Sequence, residues 1–519
     1  MKKDELTYLV LCLGPFSPTP ESWRHPRLTV ADTVNLDAAI KEIAPVFYVP
    51  LPADLCPASG IDLRINSFKD FHPDELIKNV PYLRQLREAA VLIRQSLSQG
   101  VSASEIFDRL RDFPDLPIKI SRPGSAPITS AFSASAIDEL LSMVAAPSTP
   151  ASPSGSEASP ERWADELEAT LASILFRIVS DDSFRRAETA WRGLDLLCRQ
   201  AGDDGRVSLG LCPTSEAVLA ETIEALKEGL PDAPSLVVAD FSFDNATRSF
   251  DLLRRLAEFG ETMLAPVVTG IGPRFFGIKD WDEVDKLPYL SHLADNAAWA
   301  KWRKLRKESA ADWLLAVANR IPARPAFGKK NPAAIEFAEA ETPWTGAAWV
   351  PAALMVKRVA ETGWPTRFDD LRCRLSELPV SHGADGPIYS EASFSAERGR
   401  QMMEIGVTPV TAEGGEALTV GAVTAASNPV NYQLALARVI GLILSMRGKG
   451  GGGDTEGIAG GLRAALSRLW EAAGSALPED AEVTAFEDDV RGGIAARVSV
   501  TPGKEILPSP QVIELTLNW

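Results

Sequence analysis

The sequence is poor in the residues on which covalent chemistry usually depends. Its 519 residues include four histidines and five cysteines, and the cysteines are widely scattered. The sequence contains no C-x-x-C, H-E-x-x-H, G-x-S-x-G or P-loop pattern, so neither zinc sites, nucleophile elbows nor phosphate-binding loops are indicated. We therefore predict no catalytic residue, no metal site, no cofactor and no enzymatic activity.

A long apolar run and an excess of basic residues are also missing. No stretch approaches the ~18 uninterrupted apolar residues of a membrane span, and acids directly follow the lysines in Met1–Leu6. The formal charge of −17 disfavours binding to nucleic acid or to anionic lipid. We expect a cytoplasmic protein that binds no nucleic acid and does not insert into membranes, and the scattered cysteines fit a reducing compartment.

Composition divides the chain into unequal parts. The run from Ala146 to Pro160 is rich in Pro, Ser and Ala and has nothing to bury, which predicts a linker. We expect a small domain at 1–145, the linker at 146–160 and a larger domain at 161–519. Residues 448–453 formally match G-x-G-x-x-G, but they follow a helix-like run and not a strand, so a flexible loop is predicted there.

Hydrophobic periodicity predicts an α/β fold of mixed (α+β) character. Strands are predicted at 6–13, 61–65, 235–240 and 264–268. Helices are predicted at 72–88, 163–178, 184–200, 248–259 and 432–446. Alternating apolar residues predict a C-terminal β-hairpin, and we consider them candidates for a strand that pairs between protomers: Ile494, Ala496, Val498, Val500, Ile513, Leu515 and Leu517.

One segment of the small domain has a distinctive residue order. Phe68, Lys69, Asp70 and Phe71 are followed by Pro73, which opens a helix containing Val-Pro and Leu-x-x-Leu. This order resembles the strand-to-helix segment of the small (TssB-like) subunit of the type VI secretion system contractile sheath. The same residues would also make an ordinary well-capped amphipathic helix.

The larger domain is similar to the large (TssC-like) subunit of the same sheath at several places in the matching order. Its tryptophans are expected to pack in a core or an interface and not to hold a ligand. A basic strip in this domain has two readings, a solvated helix face or a contact with a neighbouring subunit. The strip is Lys301, Arg303, Lys304, Arg306 and Lys307. The residues that carry the resemblance are Trp191, Arg192, Gly193, Trp299, Lys301, Trp302, Arg303 and Trp349.

The resemblance implies a fusion of the two sheath subunits, with the small domain docked on the larger one. Its expected function is that of a structural protomer, which assembles around an inner tube and drives effector delivery by contraction. The implied partners are other copies of the chain, as a homopolymer or a ring, an inner-tube protein and baseplate components. The alternative is a non-contractile scaffold, cap or adaptor that forms rings or discrete complexes.

The resemblance is incomplete at the arms. The chain begins almost at its first core strand, so we expect no counterpart of the extended N-terminal arm of the small subunit. The linker lies where the resemblance places the C-terminal arm of the small subunit and the N-terminal region of the large subunit. In the family that N-terminal region carries the helix bound by an AAA+ recycling unfoldase, which puts the unfoldase in question as a partner of this chain. We expect the C-terminal strands to carry lattice contacts. An aspartate at Val498 or Leu515 should then stop assembly while leaving the protomer folded.

Overall fold

The computed structural model describes residues 7–18, 26–113, 116–118, 159–383, 386–448, 454–487 and 493–519. The predicted linker up to residue 158 and the glycine-rich residues 449–453 lie outside this description. The strands, in chain order, are β1 Tyr8–Gly14, β2 Thr29–Ala31, β3 Val46–Pro50, β4 Gly60–Arg64, β5 Val207–Pro213, β6 Leu236–Phe243, β7 Val267–Ile271, β8 Leu314–Ala318, β9 Ser381–His382, β10 Pro387–Ile388, β11 Val407–Glu413, β12 Glu416–Thr419, β13 Glu482–Glu487, β14 Ile494–Val500 and β15 Ile513–Asn518.

Helices surround these strands, and several begin at a side chain that caps the first turn. Asp181, for example, accepts hydrogen bonds from the backbone N–H groups of Ser183 and Phe184 at the start of the second long helix. The α-helices, in chain order, are α1 Leu36–Ile43, α2 Pro73–Asn79, α3 Pro81–Ser98, α4 Ala103–Leu110, α5 Pro160–Ser180, α6 Asp182–Ala201, α7 Leu219–Gly229, α8 Thr247–Met263, α9 Leu290–Ala294, α10 Ala300–Leu305, α11 Trp349–Thr362, α12 Ala396–Glu404, α13 Val430–Gly448 and α14 Thr455–Ala472.

The main sheet has eight strands in the order β12-β11-β8-β7-β6-β1-β5-β2. Its six central strands, β11 to β5, run parallel, and the two edge strands β12 and β2 are antiparallel. The β6-α8-β7 unit confirms the predicted β-α-β rhythm, and the α/β fold class is confirmed.

Strand β1 joins the two parts of the chain. We call the described residues up to 118 the N-terminal segment and residues 159–519 the C-terminal segment. β1 belongs to the N-terminal segment, but both of its neighbours in the sheet belong to the C-terminal segment. It pairs with β5 along its whole length and with β6 over Val10–Leu13. The association is therefore closer than the expected docking of two surfaces, because a central strand is hydrogen-bonded on both sides. The division at 146–160 stays a prediction.

Alternate side chains of β1 enter different cores. Val10 and Cys12 pack on the face covered by α3, α5, α6 and α11, and Leu11 and Leu13 pack on the face covered by α7 and α8. All four side chains are at most 2% exposed. This double burial explains why residues 6–13 form an uninterrupted apolar run instead of an alternating one.

A third core lies at the C-terminal end of the chain. Helices α13 and α14 cover one face of an antiparallel sheet in the order β13-β14-β15. The predicted terminal hairpin is confirmed as β14 and β15, and β13 adds a strand that the sequence did not predict. Trp364 and Trp470 meet edge-to-face in this core, 4.9 Å between ring centroids.

Two predicted elements differ from the structure for local reasons. The helix predicted over 72–88 is two helices, because Val80 precedes Pro81 and has extended backbone, ψ 116°. The strand predicted at 264–268 begins only at Val267, because Leu264 has a left-handed backbone, φ 54°, and ends α8.

Candidate functional site

Asp70 organises the short turn Phe68–Phe71 that carries the first family motif. Its carboxylate accepts hydrogen bonds from the backbone N–H groups of Asn66 and Ser67, at 2.8 and 3.0 Å, and from the Asn79 amide at 3.0 Å. Asp70 is therefore satisfied although it is only 7% exposed. Its role is to hold the backbone of the turn in one conformation.

The two phenylalanines of this turn contact helix α6 of the C-terminal segment. The Phe71 ring lies 5.5 Å from the ring of Phe184, and the guanidinium of Arg192 lies 5.4 Å above the Phe68 ring. Pro73 opens the following helix α2, and Lys69 points to solvent. The motifs from the two halves of the chain thus recognise each other inside one protomer.

Trp191 and Trp349 surround Phe16, which follows β1. The Trp191 indole N–H donates to the Phe16 carbonyl oxygen at 3.0 Å, and the Phe16 ring lies 5.2 and 6.4 Å from the two indoles. Gly193 allows this packing: a Cβ there would lie 2.4 Å from three atoms of the Trp349 indole. The close approach of α6 to α11 therefore requires glycine at this position.

Replacing Gly193 with alanine is expected to destabilise the protein by about 1–3 kcal/mol, because the added methyl group overlaps a rigid buried ring. Gly460 is the matched control, since it also lies inside a helix but a Cβ there meets nothing within 4 Å. Gly460→Ala should instead stabilise the protein, by up to about 1 kcal/mol. Urea denaturation of both variants checks the two signs, and equal effects would contradict the packing argument.

A buried ion network lies next to these aromatic contacts. Arg324 contacts Glu188 at 2.7 Å and Glu339 at 2.5 Å, and Arg192 contacts Glu188 at 2.9 Å. The Glu188 and Glu339 side chains are at most 1% exposed and that of Arg324 is 6% exposed. Burial alone would raise the pKa of Glu188, but attraction to Arg324 and Arg192 holds that pKa below its usual value.

Trp299 and Trp302 pack on the opposite face of the main sheet. Their rings lie 4.7 and 5.3 Å from that of Phe275, and the Trp302 indole N–H donates to the Ile405 carbonyl oxygen at 2.9 Å. Both tryptophans are at most 1% exposed. They act here as core residues of the C-terminal segment.

The basic strip around α10 is divided between internal and external roles. Arg303 donates to the carbonyl oxygens of Ala294 and Asn296, and Arg306 donates to those of Glu404 and Ala425. These two arginines connect backbone segments. The Lys301 ammonium is 2.7 Å from the Asp251 carboxylate. Lys304 and Lys307 are exposed and have no ion-pair partner among the described residues.

A cleft of about 290 Å3 opens at the carboxyl ends of the central strands, where the sheet order changes direction. Asp240 lies at its base, on a bulge of β6, with its carboxyl group against Gly346. The Trp349 indole N–H faces this carboxyl without the alignment of a full hydrogen bond. Burial raises the pKa of Asp240 to about 6, although the residue keeps some exposed surface in the cleft.

Asp240 should therefore make stability depend on pH. Because its pKa is about 6 when folded and lower when unfolded, stability falls as pH rises from about 4 to about 6, and the loss remains above that range. Allowing for the partial exposure, we expect Asp240→Asn to be about 1–3 kcal/mol more stable than the wild type at neutral pH. The difference should disappear near pH 4 in urea denaturation. A constant difference at both pH values would contradict the assignment.

The C-terminal sheet presents one buried face and two open edges. Ala496, Val498, Val500 and Ile513 are buried against α13 and α14, and Ile494, Leu515 and Leu517 are half-buried. Val498 is 0% exposed within its own protomer, which corrects the expected effect of aspartate there. That substitution would disrupt the fold of this layer and could not test assembly alone.

The backbone register identifies which groups remain open at the sheet edges. Trp519 N–H donates to the Ile494 carbonyl oxygen, and Ala495 pairs with Asn518. Because antiparallel strands alternate the side on which backbone groups point, the N–H and C=O groups of Glu514, Thr516 and Asn518 face away from β14. In the described chain the sheet contains only three strands, so the outer edges of β15 and β13 are unpaired.

Sequence reasoning missed the buried acids and the contact residue after β1. Glu188 lies in a predicted amphipathic helix. It is on the same side of that helix as Trp191, and an acidic residue on the apolar side of a helix could have indicated a buried ion pair. Asp240 ends an apolar strand, which is itself a signal for a residue at the carboxyl edge of a sheet. Phe16 gave no signal, because it follows a Gly-Pro turn.

Reactive or metal-binding clusters do not emerge from the described residues. All five cysteines are free and buried. No group of three or more potential metal ligands occurs in the described ranges. Among the helices described, none is long and apolar enough to cross a membrane.

Two family models match the chain in sequence order. Residues 1–110 match the model described as type VI secretion system, VipA or Hcp2, and residues 231–423 match the model described as VipB (EvpB), tail sheath N-terminal domain. The chain is a fusion of a VipA-related and a VipB-related sheath segment. The resemblance inferred from the motifs is confirmed, and the VipA-related match includes β1 and the Phe68–Phe71 turn.

One individual relative and one solved structure are similar to part of the chain. The type VI secretion system sheath protein TssC1 of Pseudomonas aeruginosa is 23% identical over 280 residues, which is 47% of this chain and 56% of TssC1. The chain thus spans about half the length of that relative. A sheath tail protein from Desulfitobacterium hafniense, known from its crystal structure, is 10% identical at a TM-score of 0.30, with 59% of this chain and 60% of that chain covered. A similarity at that level supports no structural argument.

Proposed function

We propose that the chain is the structural protomer of a type VI secretion-like contractile sheath, combining in one polypeptide what the family divides between two subunits. The observation that carries the proposal is the pair of sheath-family matches in sequence order. The protomer polymerises with copies of itself around an inner tube and on a baseplate. It acts in the cytoplasm and without covalent chemistry.

The interleaved fold supports a mechanical role. Because β1 is hydrogen-bonded on both sides by strands of the C-terminal segment, force applied to one segment reaches the other through a continuous sheet. The ion pairs of Arg94 with Asp165 and Glu168 connect the same two segments. A contractile lattice needs such protomers, since contraction proceeds by rigid-body movement at interfaces between copies.

The C-terminal sheet supports a mode of assembly. Its outer strands offer unpaired backbone groups, and an extended segment of a neighbouring copy can add to such an edge through main-chain hydrogen bonds. Arg497 and Glu514 form an ion pair across the exposed face of this sheet. We infer that pairing at one or both edges connects protomers in the lattice.

Electron microscopy of the purified full-length chain tests the proposal. Long striated tubes with a helical repeat are expected. Closed rings, caps or dispersed protomers at the same concentration would overturn the contractile sheath in favour of a non-contractile scaffold. Adding an inner-tube protein from the same system should increase the number and uniformity of the tubes, since the sheath is proposed to assemble around it.

A further inference from the structure

The cleft at the carboxyl ends of the central strands has the position and the size of a small-ligand site. The chain leaves β1 towards the helices on one face of the sheet, and it leaves the neighbouring strand β6 towards α8 on the other face. Ligands of open α/β sheets bind in crevices between two such strands. The volume of about 290 Å3 is at the lower end of the range for ligand pockets, so a small ligand fits.

The carboxylate at the base of the cleft receives no full hydrogen bond from the described residues. Asp240 is largely buried, and the Trp349 indole N–H faces it without the alignment of a hydrogen bond. Arg320 also lines the cleft, but two hydrogen bonds of 2.7 and 2.6 Å hold its guanidinium on Glu391. Because a buried carboxylate is costly without a donor or a cation beside it, this position favours a positively charged ligand.

The walls of the cleft add aromatic surface. Phe241 and Trp344 are half-buried, and both line the cleft. The negative face of an aromatic ring attracts cations, and aromatic-lined sites recognise organic ammonium groups. Carboxylate and rings together therefore fit a cation that carries an apolar part.

The other charged groups of the cleft support the same sign. Glu216 is exposed at the cleft and adds a second acid to Asp240. Arg186 lines the cleft and has no ion-pair partner among the described residues, so it offsets one of the two acids. An anion could pair with Arg186 only by lying beside both carboxylates, whereas a cation neutralises the remaining negative charge.

We propose that this cleft binds a small organic cation, an alkylammonium or an alkylguanidinium. The charged group lies on the Asp240 carboxylate, and the alkyl part lies against the rings of Phe241 and Trp344. The hydroxyl groups of Ser215 and Ser242, which also line the cleft, accept the remaining N–H groups of the ligand.

Calorimetric titration of the full-length protein with butylguanidinium tests the proposal. Saturable binding at a single site per chain is expected. Butylurea is the matched control, because it has nearly the same shape without the charge, and it should bind at least about tenfold more weakly. Equal binding of the two compounds, or no saturable binding of butylguanidinium, would overturn the proposal.

Asp240→Asn separates recognition from folding. We expect this variant to be more stable than the wild type at neutral pH, so its loss of binding cannot come from unfolding. It should bind butylguanidinium at least about tenfold more weakly, and Trp344→Leu, which loses the aromatic face, about two- to fivefold more weakly. Asp251→Asn removes an acid that is 56% exposed outside the cleft, and it should bind like the wild type. Unchanged binding in Asp240→Asn would overturn the assignment.

The same titration on assembled protein distinguishes two sources of the cation. If the ligand is a free amine, polymer and dispersed protomer bind butylguanidinium equally. If a lysine or arginine side chain of a neighbouring copy fills the cleft, the polymer loses this binding and the dispersed protomer keeps it. Either result retains the cation site, and the measurement on the dispersed protomer does not depend on whether the chain assembles.

Discussion

Thr516→Pro is expected to abolish assembly while leaving the protomer folded. Thr516 lies on β15, and its backbone N–H points away from β14. Proline removes that donor and places its ring where an added strand would bind, but breaks no hydrogen bond within the sheet. Sedimentation followed by electron microscopy should show loss of pelletable polymer, and urea denaturation should show a change of no more than about 1 kcal/mol.

The control substitution keeps the backbone donor. Thr516→Val retains the N–H group and the β-branched shape, so it should assemble like the wild type.

On the other side of the sheet, the backbone N–H of Ala485 in β13 also points outward, because Ala485 lies opposite Ala496, whose backbone groups bond to β15. Ala485→Pro therefore tests whether the second edge is used. Normal polymers from both proline variants would exclude strand addition at this sheet.

The pattern of side chains was enough to predict the position and type of several elements. Residues 235–240 and 248–259 had the periodicity of a buried strand and an amphipathic helix, and both elements formed close to those positions. The terminal hairpin followed from strict alternation, which assigns alternate side chains to opposite faces of a sheet.

The partner of each strand could not be predicted in the same way. An apolar run such as residues 6–13 is equally compatible with a strand in a small separate sheet and with one in the middle of a larger sheet. Only the pairing with Val207–Pro213 and Leu236–Phe243 decides between these, and that pairing joins residues about 200 positions apart. The family resemblance predicted that the two segments associate, but not that they share a sheet.

The buried acids were hidden for a different reason. From the sequence alone, Glu188 and Glu339 are expected to be exposed, because glutamates normally lie at the protein surface. Their burial depends on Arg324, which follows a strand more than 100 residues after Glu188. Charged groups enter a core only with partners, so neither acid could be assigned before the partner was located.

Arg324→Ala is expected to destabilise the protein by about 3–5 kcal/mol, the cost of leaving buried charges without their partner. Arg324 is the shared partner of two carboxylates that are both almost completely buried. Removing it leaves Arg192 with Glu188 and leaves Glu339 with the N–H of Phe327 as its remaining protein donor. Urea denaturation at neutral pH measures the loss directly.

Acid should reproduce part of this effect in the wild-type protein. Because the pKa of Glu188 is held below its usual value in the folded state, the stability it contributes is present above the unfolded pKa and is lost as pH falls through the folded one. Arg94→Ala is the control for exposure, since Arg94 likewise contacts two carboxylates, those of Asp165 and Glu168, but its side chain is 45% exposed. That variant should lose no more than about 1 kcal/mol. An equal loss in the two variants would mean that burial does not decide the strength of these ion pairs.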